Sequence, residues 1–169
     1  MLALLDELEW VDHFVTQNYD GDWSVLPLRG PAGATHPILM SYSDPGCKNF
    51  SNTPFLELLN YIPKVLEWFQ CSLMSVRLMR LTPGSKIKTH VDHDLSAEMG
   101  MARIHVPITT NNKVIFTLNG QTVPLQEGEC WYLRLSDPHS VDNDGSASRV
   151  HLVLDVEVNN WLNELLDSQ

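Results

Sequence analysis

SRVHLVLDV, residues 148–156, alternates with a period of two. Successive side chains on a strand point to opposite faces. Val150, Leu152, Leu154 and Val156 therefore share one face, and Arg149, His151, Val153 and Asp155 share the other. ARIHVPIT, residues 102–109, behaves alike, with Ile104, Val106 and Ile108 on one side and Arg103 and His105 on the other. A polar strand face commonly meets solvent. Two strands with the same Arg-x-His pattern favour another arrangement, in which the apolar faces pack on helices and the Arg/His faces line a polar barrel interior. An arginine inside a barrel needs a partner, because an uncompensated buried charge is costly. A guanidinium grips a carboxylate through two parallel hydrogen bonds, so an anionic ligand suits it.

The surrounding chain has the texture of a β-rich domain. Segments 73–82, 102–110, 113–118, 121–126, 130–135 and 148–158 are short and rich in Val, Ile, Leu, Thr and aromatics. Turn signals separate them: Pro83-Gly84, Asn111-Asn112, Asn119-Gly120, Glu127-Gly128 and Asp144-Gly145. Asn119-Gly120, between VIFTL and QTVPL, predicts a two-residue hairpin. Upstream, Leu2, Leu5, Leu8, Val11 and Phe14 predict an amphipathic helix over 2–17, and the alternation of 22–29 predicts a strand. The Gly/Pro/Ser/Asn-rich stretch 30–52 reads as a long loop, either a plain connection or a lid. A second helix is predicted over 53–69, capped by Asn52 or Thr53, with Phe55, Leu58, Leu59, Ile62, Leu66 and Phe69 inward and a break or kink at Pro63. The expected fold is mainly β with flanking helices, a barrel or jelly roll. It forms one domain over 1–169, with a helical part at about 1–70 and a β core at about 72–158.

Composition narrows the partners. The 169 residues carry 11 basic and 21 acidic side chains, a net charge of −10. Such a surface repels phosphate backbones and anionic lipid, which argues against nucleic acid and membrane partners and leaves small molecules or peptides as substrates. No apolar run approaches the roughly 18 residues of a membrane span. The N-terminus lacks the basic stretch of a signal peptide, and Cys47, Cys71 and Cys130 form no CxxC pair. These features predict free thiols and a cytoplasmic location.

KTHVDHDL, residues 88–95, is the densest cluster of ligand-type side chains. On an extended segment His90 and Asp92 point the same way, and Val91 points opposite. An HxD alone also occurs in solvated loops, and His93 and Asp94 read as flanking residues. A third ligand is available in His139, which follows Pro138 beyond the intervening strands. Two imidazoles and a carboxylate on one face of an ion leave the other positions open for reactants. Fe(II), Mn(II), Co(II) and Zn(II) all accept this set. The turn at 142–145 is expected to fold the His139 strand back onto the Arg149 strand, placing Arg149 a few ångströms beyond the ion.

Over residues 76–156 the sequence resembles the aspartyl/asparaginyl β-hydroxylase-like family of 2-oxoglutarate- and Fe(II)-dependent dioxygenases. The likeness is carried by Pro83-Gly84 ahead of His90, RIHVPI, EGECWYL, PHSVDN and SRVHLVLDV. The resemblance implies a double-stranded β-helix, cupin-like in fold. It implies Fe(II) held by His90, Asp92 and His139, the distal carboxylate of 2-oxoglutarate on Arg149, and Arg103 and His105 near its metal-side carboxylate. The implied reaction uses O2 to hydroxylate an unactivated C–H bond and releases succinate and CO2. Asp92 departs from the animal peptidyl hydroxylases, which lack a carboxylate there. The chain thus looks closer to the bacterial, proline-hydroxylase-like branch with a full triad, which implies an Asp-, Asn- or Pro-like substrate, with small amino acids or their derivatives at least as plausible as a peptide side chain. A cupin-like isomerase or hydrolase using the same ligands, or a non-catalytic sensor barrel, are the competing readings, and neither needs a carboxylate anchor ten residues past the last ligand.

Overall fold

The computed structural model describes Leu5, residues 7–42 and residues 46–168. Twelve strands form in these residues: β1 (Val11–Asp12), β2 (Tyr19–Asp20), β3 (Trp23–Pro31), β4 (Phe50–Asn52), β5 (Leu73–Leu81), β6 (Lys86–His90), β7 (Met101–Thr109), β8 (Val114–Leu118), β9 (Gln121–Val123), β10 (Trp131–Leu133), β11 (His139–Asn143) and β12 (Arg149–Glu157). Four α-helices accompany them: α1 (Pro37–Met40), α2 (Pro54–Glu57), α3 (Ile62–Leu66) and α4 (Asn160–Asp167). The strands build two antiparallel sheets. The major one runs β1-β3-β5-β12-β7-β10, with β4 also paired to β3, and the minor one runs β2-β6-β11-β8-β9. Facing each other, they make a double-stranded β-helix.

The alternation of β7 and β12 has the consequence expected of it. Ile104, Leu152, Leu154 and Val156 leave the major sheet outward and pack with Leu26, Leu28 and Leu78 against Leu59, Ile62 and Leu66 of the helical layer. The opposite face looks into the barrel, where Trp23, Met79, Leu81 and Val153 meet Ile87, Phe116 and Val141 of the minor sheet. Arg77, Arg149, His105, His151 and Asp155 are buried on that inner side. The hairpin between β8 and β9 has the predicted two-residue turn: Asn119 and Gly120 take φ of 49° and 75°, and Leu118 pairs with Gln121.

The N-terminal part differs from the helical reading. Residues 1–4 and 6 lie outside the described residues, but 7–15 are not helical and Thr16–Asn18 form only a 3-10 turn: Val11 pairs with Val25 and Asp12 with Ser24 at the edge of β3. Edge pairing satisfies the exposed backbone of a long buried strand, and this tertiary demand overrides the local helical spacing. The helix over 53–69 divides into α2 and α3. Its break falls at residues 58–61, ahead of Pro63, which sits in the first turn of α3 where its missing N–H costs nothing. Leu58, expected inward, is 51% exposed because of that break. Thr53 precedes α2 but donates its hydroxyl to the Pro27 carbonyl at 2.7 Å, leaving the helix without a side-chain cap.

The 30–52 segment contains α1 and β4. Gly30 lets it approach β3: a Cβ there would stand 1.9 Å from the Met40 carbonyl oxygen. The Tyr42 carbonyl then accepts from the Ser75 hydroxyl at 2.8 Å, which holds this segment over β5.

The turn at 142–145 does not fold β11 onto β12. β11 lies between β6 and β8 in the minor sheet, and β12 lies between β5 and β7 in the major one. Asn143, fully buried, makes this crossing: its amide donates to the carbonyls of Leu81 and Ala147 at 2.9 and 3.0 Å. Among the described residues no helix is long and apolar enough to cross a membrane.

Candidate metal centre and anion site

Strand pairing brings the two histidines together. His90 closes β6, His139 opens β11, and the two are register partners whose rings stand 4.2 Å apart. Asp92 lies just past the end of β6 and is held by the backbone rather than by strand parity. Its N–H donates to the Leu135 carbonyl at 2.9 Å, and its carbonyl accepts from Leu95 N–H at 3.0 Å. One ligand atom from each of His90, Asp92 and His139 lies within 4.8 Å of the other two. His93 and Asp94 stand outside this group and line the neighbouring cleft.

The imidazoles are oriented for ligation. His90 Nδ1 is 2.8 Å from the Lys88 carbonyl and His139 Nδ1 is 3.0 Å from the Asp137 carbonyl. A carbonyl only accepts, so each Nδ1 carries the proton and each Nε2 presents a lone pair. Burial pulls His139 below its ordinary pKa, and the His90 ring adds to this against the opposing Asp137 bond. Two imidazole nitrogens and one carboxylate on one side of a small cavity suit a divalent ion with open positions.

Behind Asp92 runs a buried chain of charges. Arg103 Nη1 donates to Asp92 Oδ2 at 2.8 Å, and its Nε and Nη2 grip Asp155 Oδ1 and Oδ2 at 2.6 and 2.9 Å. Arg103 and Asp155 are direct cross-strand partners on β7 and β12. Arg77 of β5 also donates to Asp155 Oδ2, and its other terminal nitrogen reaches the Ser41 carbonyl at 3.0 Å. Burial disfavours the Arg103 charge, but Asp155 and Asp92 outweigh it and hold the pKa above its ordinary value. For Arg77 burial prevails over Asp155, and the pKa falls.

Arg149 has the opposite environment. It is 2% exposed, and among the described residues no carboxylate pairs with it. Its Nη2 lies 2.9 Å from His151 Nδ1, its guanidinium lies 5.9 Å from the Phe116 ring centre, and its Nε has no partner among the described residues. Burial lowers its pKa to about 9, so it remains charged at neutral pH. A cavity of about 40 Å³ joins it to His90, Asp92, His139, Arg103 and His105. The six residues singled out in the sequence therefore meet in one place. Arg103 is committed to Asp92 and Asp155, and His105 Nδ1 lies 3.3 Å from His151 Nδ1.

A larger cleft, about 380 Å³, opens in front of His90 and Asp92. One wall is a run of stacked rings: His13 on Trp23 at 3.6 Å, His13 on Phe14 at 4.7 Å, and Phe14 on Tyr42 at 4.9 Å. Sequence reasoning missed this wall and the roles of Arg77 and Asp155. A charge inside the apolar run LMSVRLMRL, matched by Asp155 in LVLDV, was the available signal for the latter pair. No local pattern marks His13.

A family model for aspartyl/asparaginyl beta-hydroxylase matches residues 1–158. The chain belongs to the aspartyl/asparaginyl β-hydroxylase family. It is 28% identical over 140 residues to an L-proline cis-4-hydroxylase of Rhizobium meliloti (strain 1021), a match covering 81% of this chain and 48% of that protein. The chain thus spans about half the length of this curated relative. Among solved structures it is similar to an oxidoreductase of the 2OG-Fe(II) oxygenase family from Burkholderia pseudomallei, with a TM-score of 0.53 and 14% identity over 94% of this chain and 79% of the other. At that identity the likeness speaks for the fold.

In this family member the interior charges set two expectations. Asp155→Asn leaves Arg77 and Arg103 without their buried counter-charge. It should destabilise the protein by about 3–5 kcal/mol in denaturant titration and weaken divalent-metal affinity about 10–100-fold in a competitive chelator assay. The second concerns acid. Burial, reinforced by nearby arginines, pushes His13 down to about 3 and holds His105 and His151 well below their ordinary value. The unfolded chain takes up these protons near pH 6.5 while the folded one does not. Stability is therefore present above about 6.5 and is lost as pH falls below it, by about 1 kcal/mol per pH unit for each such histidine. Urea midpoints measured between pH 7 and 5 should decline accordingly.

Proposed function

We propose that the protein is an Fe(II)- and 2-oxoglutarate-dependent dioxygenase that hydroxylates an unactivated C–H bond of an amino acid, an amino-acid derivative or a peptide side chain. The observation that carries this reading is Arg149, a buried guanidinium without an acidic partner among the described residues, sharing one cavity with the His90/Asp92/His139 cluster. A metal hydrolase or isomerase has no use for such an anchor. Family membership and the relative's proline hydroxylation support the reaction type.

His90, Asp92 and His139 would hold the iron, and Arg149 the distal carboxylate of 2-oxoglutarate through paired hydrogen bonds. Bound there, iron and cosubstrate supply O2 activation, with oxidative decarboxylation to succinate and CO2. The remaining work belongs to the chain. The Lys88 and Asp137 carbonyls keep both Nε2 atoms on the cavity side. Arg103 occupies Asp92 Oδ2 and leaves Oδ1 for the metal. The interior carries three arginine charges against the two of Asp92 and Asp155, and this excess of one, with the charge a divalent ion would add, favours an anionic ligand. The aromatic wall of His13, Phe14, Trp23 and Tyr42 would offer an apolar surface on the substrate side of the cleft. Its volume of about 380 Å³ is near the lower end for small-molecule sites, which favours a free amino acid or a single inserted side chain.

Anaerobic addition of Fe(II) and 2-oxoglutarate should produce a weak visible charge-transfer band. A chain with verified iron content and no such band would refute the proposal. Arg149→Ala should weaken 2-oxoglutarate binding by about 2–5 kcal/mol, measured by calorimetry on the Mn(II)-loaded protein.

A further inference from the structure

Two arginines and two aspartates line the cleft in front of the metal cluster: Arg77, Arg103, Asp92 and Asp94. The first three belong to the chain that runs through Asp155, in which two guanidinium groups and two carboxylates cancel. Asp94 takes no part in it. The residue is exposed and forms no ion pair among the described residues. The backbone fixes where this carboxylate stands. Asp92 N–H donates to the Leu135 carbonyl at 2.9 Å, Leu95 N–H to the Asp92 carbonyl at 3.0 Å, and Ser136 N–H to the Leu95 carbonyl at 3.2 Å. Leu95 is itself buried. Asp94 thus sits on a turn pinned at both ends, and two virtual bonds limit its Cα to about 7.6 Å from that of Asp92. The same cleft carries the stacked rings of His13, Phe14 and Tyr42, the last of them 45% exposed. Burial pushes His13 down to about 3, so its ring adds no positive charge to the wall. Neutral aromatic faces attract a cation, and a carboxylate in the same cleft supplies the counter-charge.

We propose that Asp94 receives an ammonium group of the substrate, and that the molecule hydroxylated is a free amino acid bound as its zwitterion. The inference rests on the function proposed above and narrows its substrate class. In that function the charges of the divalent ion and the dianionic cosubstrate cancel. Arg149 is then the one positive charge of the interior without an acidic partner among the described residues, and Asp94 is the one such negative charge on the cleft. Between them runs a field that a zwitterion matches, carboxylate toward the interior and ammonium toward Asp94. The position of Asp94, two residues past Asp92, keeps that ammonium within one small molecule's length of the cluster. A peptide backbone offers only amides at this point and brings no charge to the carboxylate.

Calorimetry on the protein loaded with Mn(II) and 2-oxoglutarate reads binding without turnover. The probes are the proteinogenic L-amino acids, each beside its Nα-acetyl derivative. At least one free amino acid should bind, and its acetylated form should bind about tenfold more weakly or worse. Asp94→Asn should weaken the free amino acid by about tenfold, Asp94→Lys should weaken it further, and Asp94→Glu should retain it. The 2-oxoglutarate Kd should be the same in all three variants, which reports that each is folded around an intact site. Three results overturn the proposal while leaving the proposed function standing: no free amino acid binds, the acetylated forms bind equally well, or Asp94→Asn and Asp94→Lys leave the Kd unchanged. Tighter binding of Nα-acetyl-L-lysine than of any free amino acid also overturns it, because the ammonium then belongs to a basic side chain. Failure of the unmodified Mn(II) protein to bind 2-oxoglutarate refutes the function itself and this proposal with it.

Discussion

The carboxylate of Asp155 is the point on which the interior depends. It is fully buried and bound by arginines from both neighbouring strands of the major sheet, Arg77 on β5 and Arg103 on β7. Arg103 then passes the constraint to Asp92, beyond the end of a strand of the other sheet. Four side chains from four segments are thus tied by charge across the gap between the sheets. Ion pairs in such a setting contribute little net stability, because desolvation offsets their attraction, and apolar residues of similar volume would often fold as well. What the chain of charges supplies is direction. It fixes which oxygen of Asp92 faces the cavity, a choice that packing alone would leave open.

Much of this was legible in the sequence, and the reason is periodicity. An Arg-x-His repeat on two strands whose other faces are wholly apolar could place the arginines only in solvent or in the barrel, and the structure puts them in the barrel. The Asn119-Gly120 hairpin was legible because both turn positions take positive φ, which Gly, lacking a Cβ, and Asn tolerate best. Features that depend on partners distant in sequence were not legible. Val11 stands at helical spacing from Leu8 and Phe14, but its place is set by pairing with the edge of β3. Asp144-Gly145 signals a reversal, but only the buried Asn143 amide, bonded to β5, decides that the chain changes sheets there. His13 enters the cleft wall through stacking on Trp23, a contact with no local signature. Asp92 reaches the cluster through a backbone bond to Leu135, not through the strand parity that first pointed to it.

The two interior arginines of the Arg-x-His strands show how one residue type takes two roles. Arg103, with carboxylates on both sides, is held protonated and immobile. Arg149, with an imidazole and a phenyl ring for neighbours, carries a charge that no carboxylate among the described residues pairs. The first is a structural tie, and the second is a buried charge with no carboxylate beside it among the described residues. Sequence pattern alone treats them as equivalent; the difference arises from Asp155 standing opposite Arg103 in the β-ladder and no acid standing opposite Arg149.

Each histidine of the metal cluster is oriented by a carbonyl two residues earlier in its own strand approach, Lys88 for His90 and Asp137 for His139. The aromatic wall of the cleft comes from elsewhere, residues 13–23 and Tyr42. The cluster of His90, Asp92 and His139 and the aromatic wall of the cleft are therefore encoded in separate stretches of the chain. Substitutions within the first quarter of the polypeptide can thus reshape that wall while leaving His90, Asp92 and His139 in place.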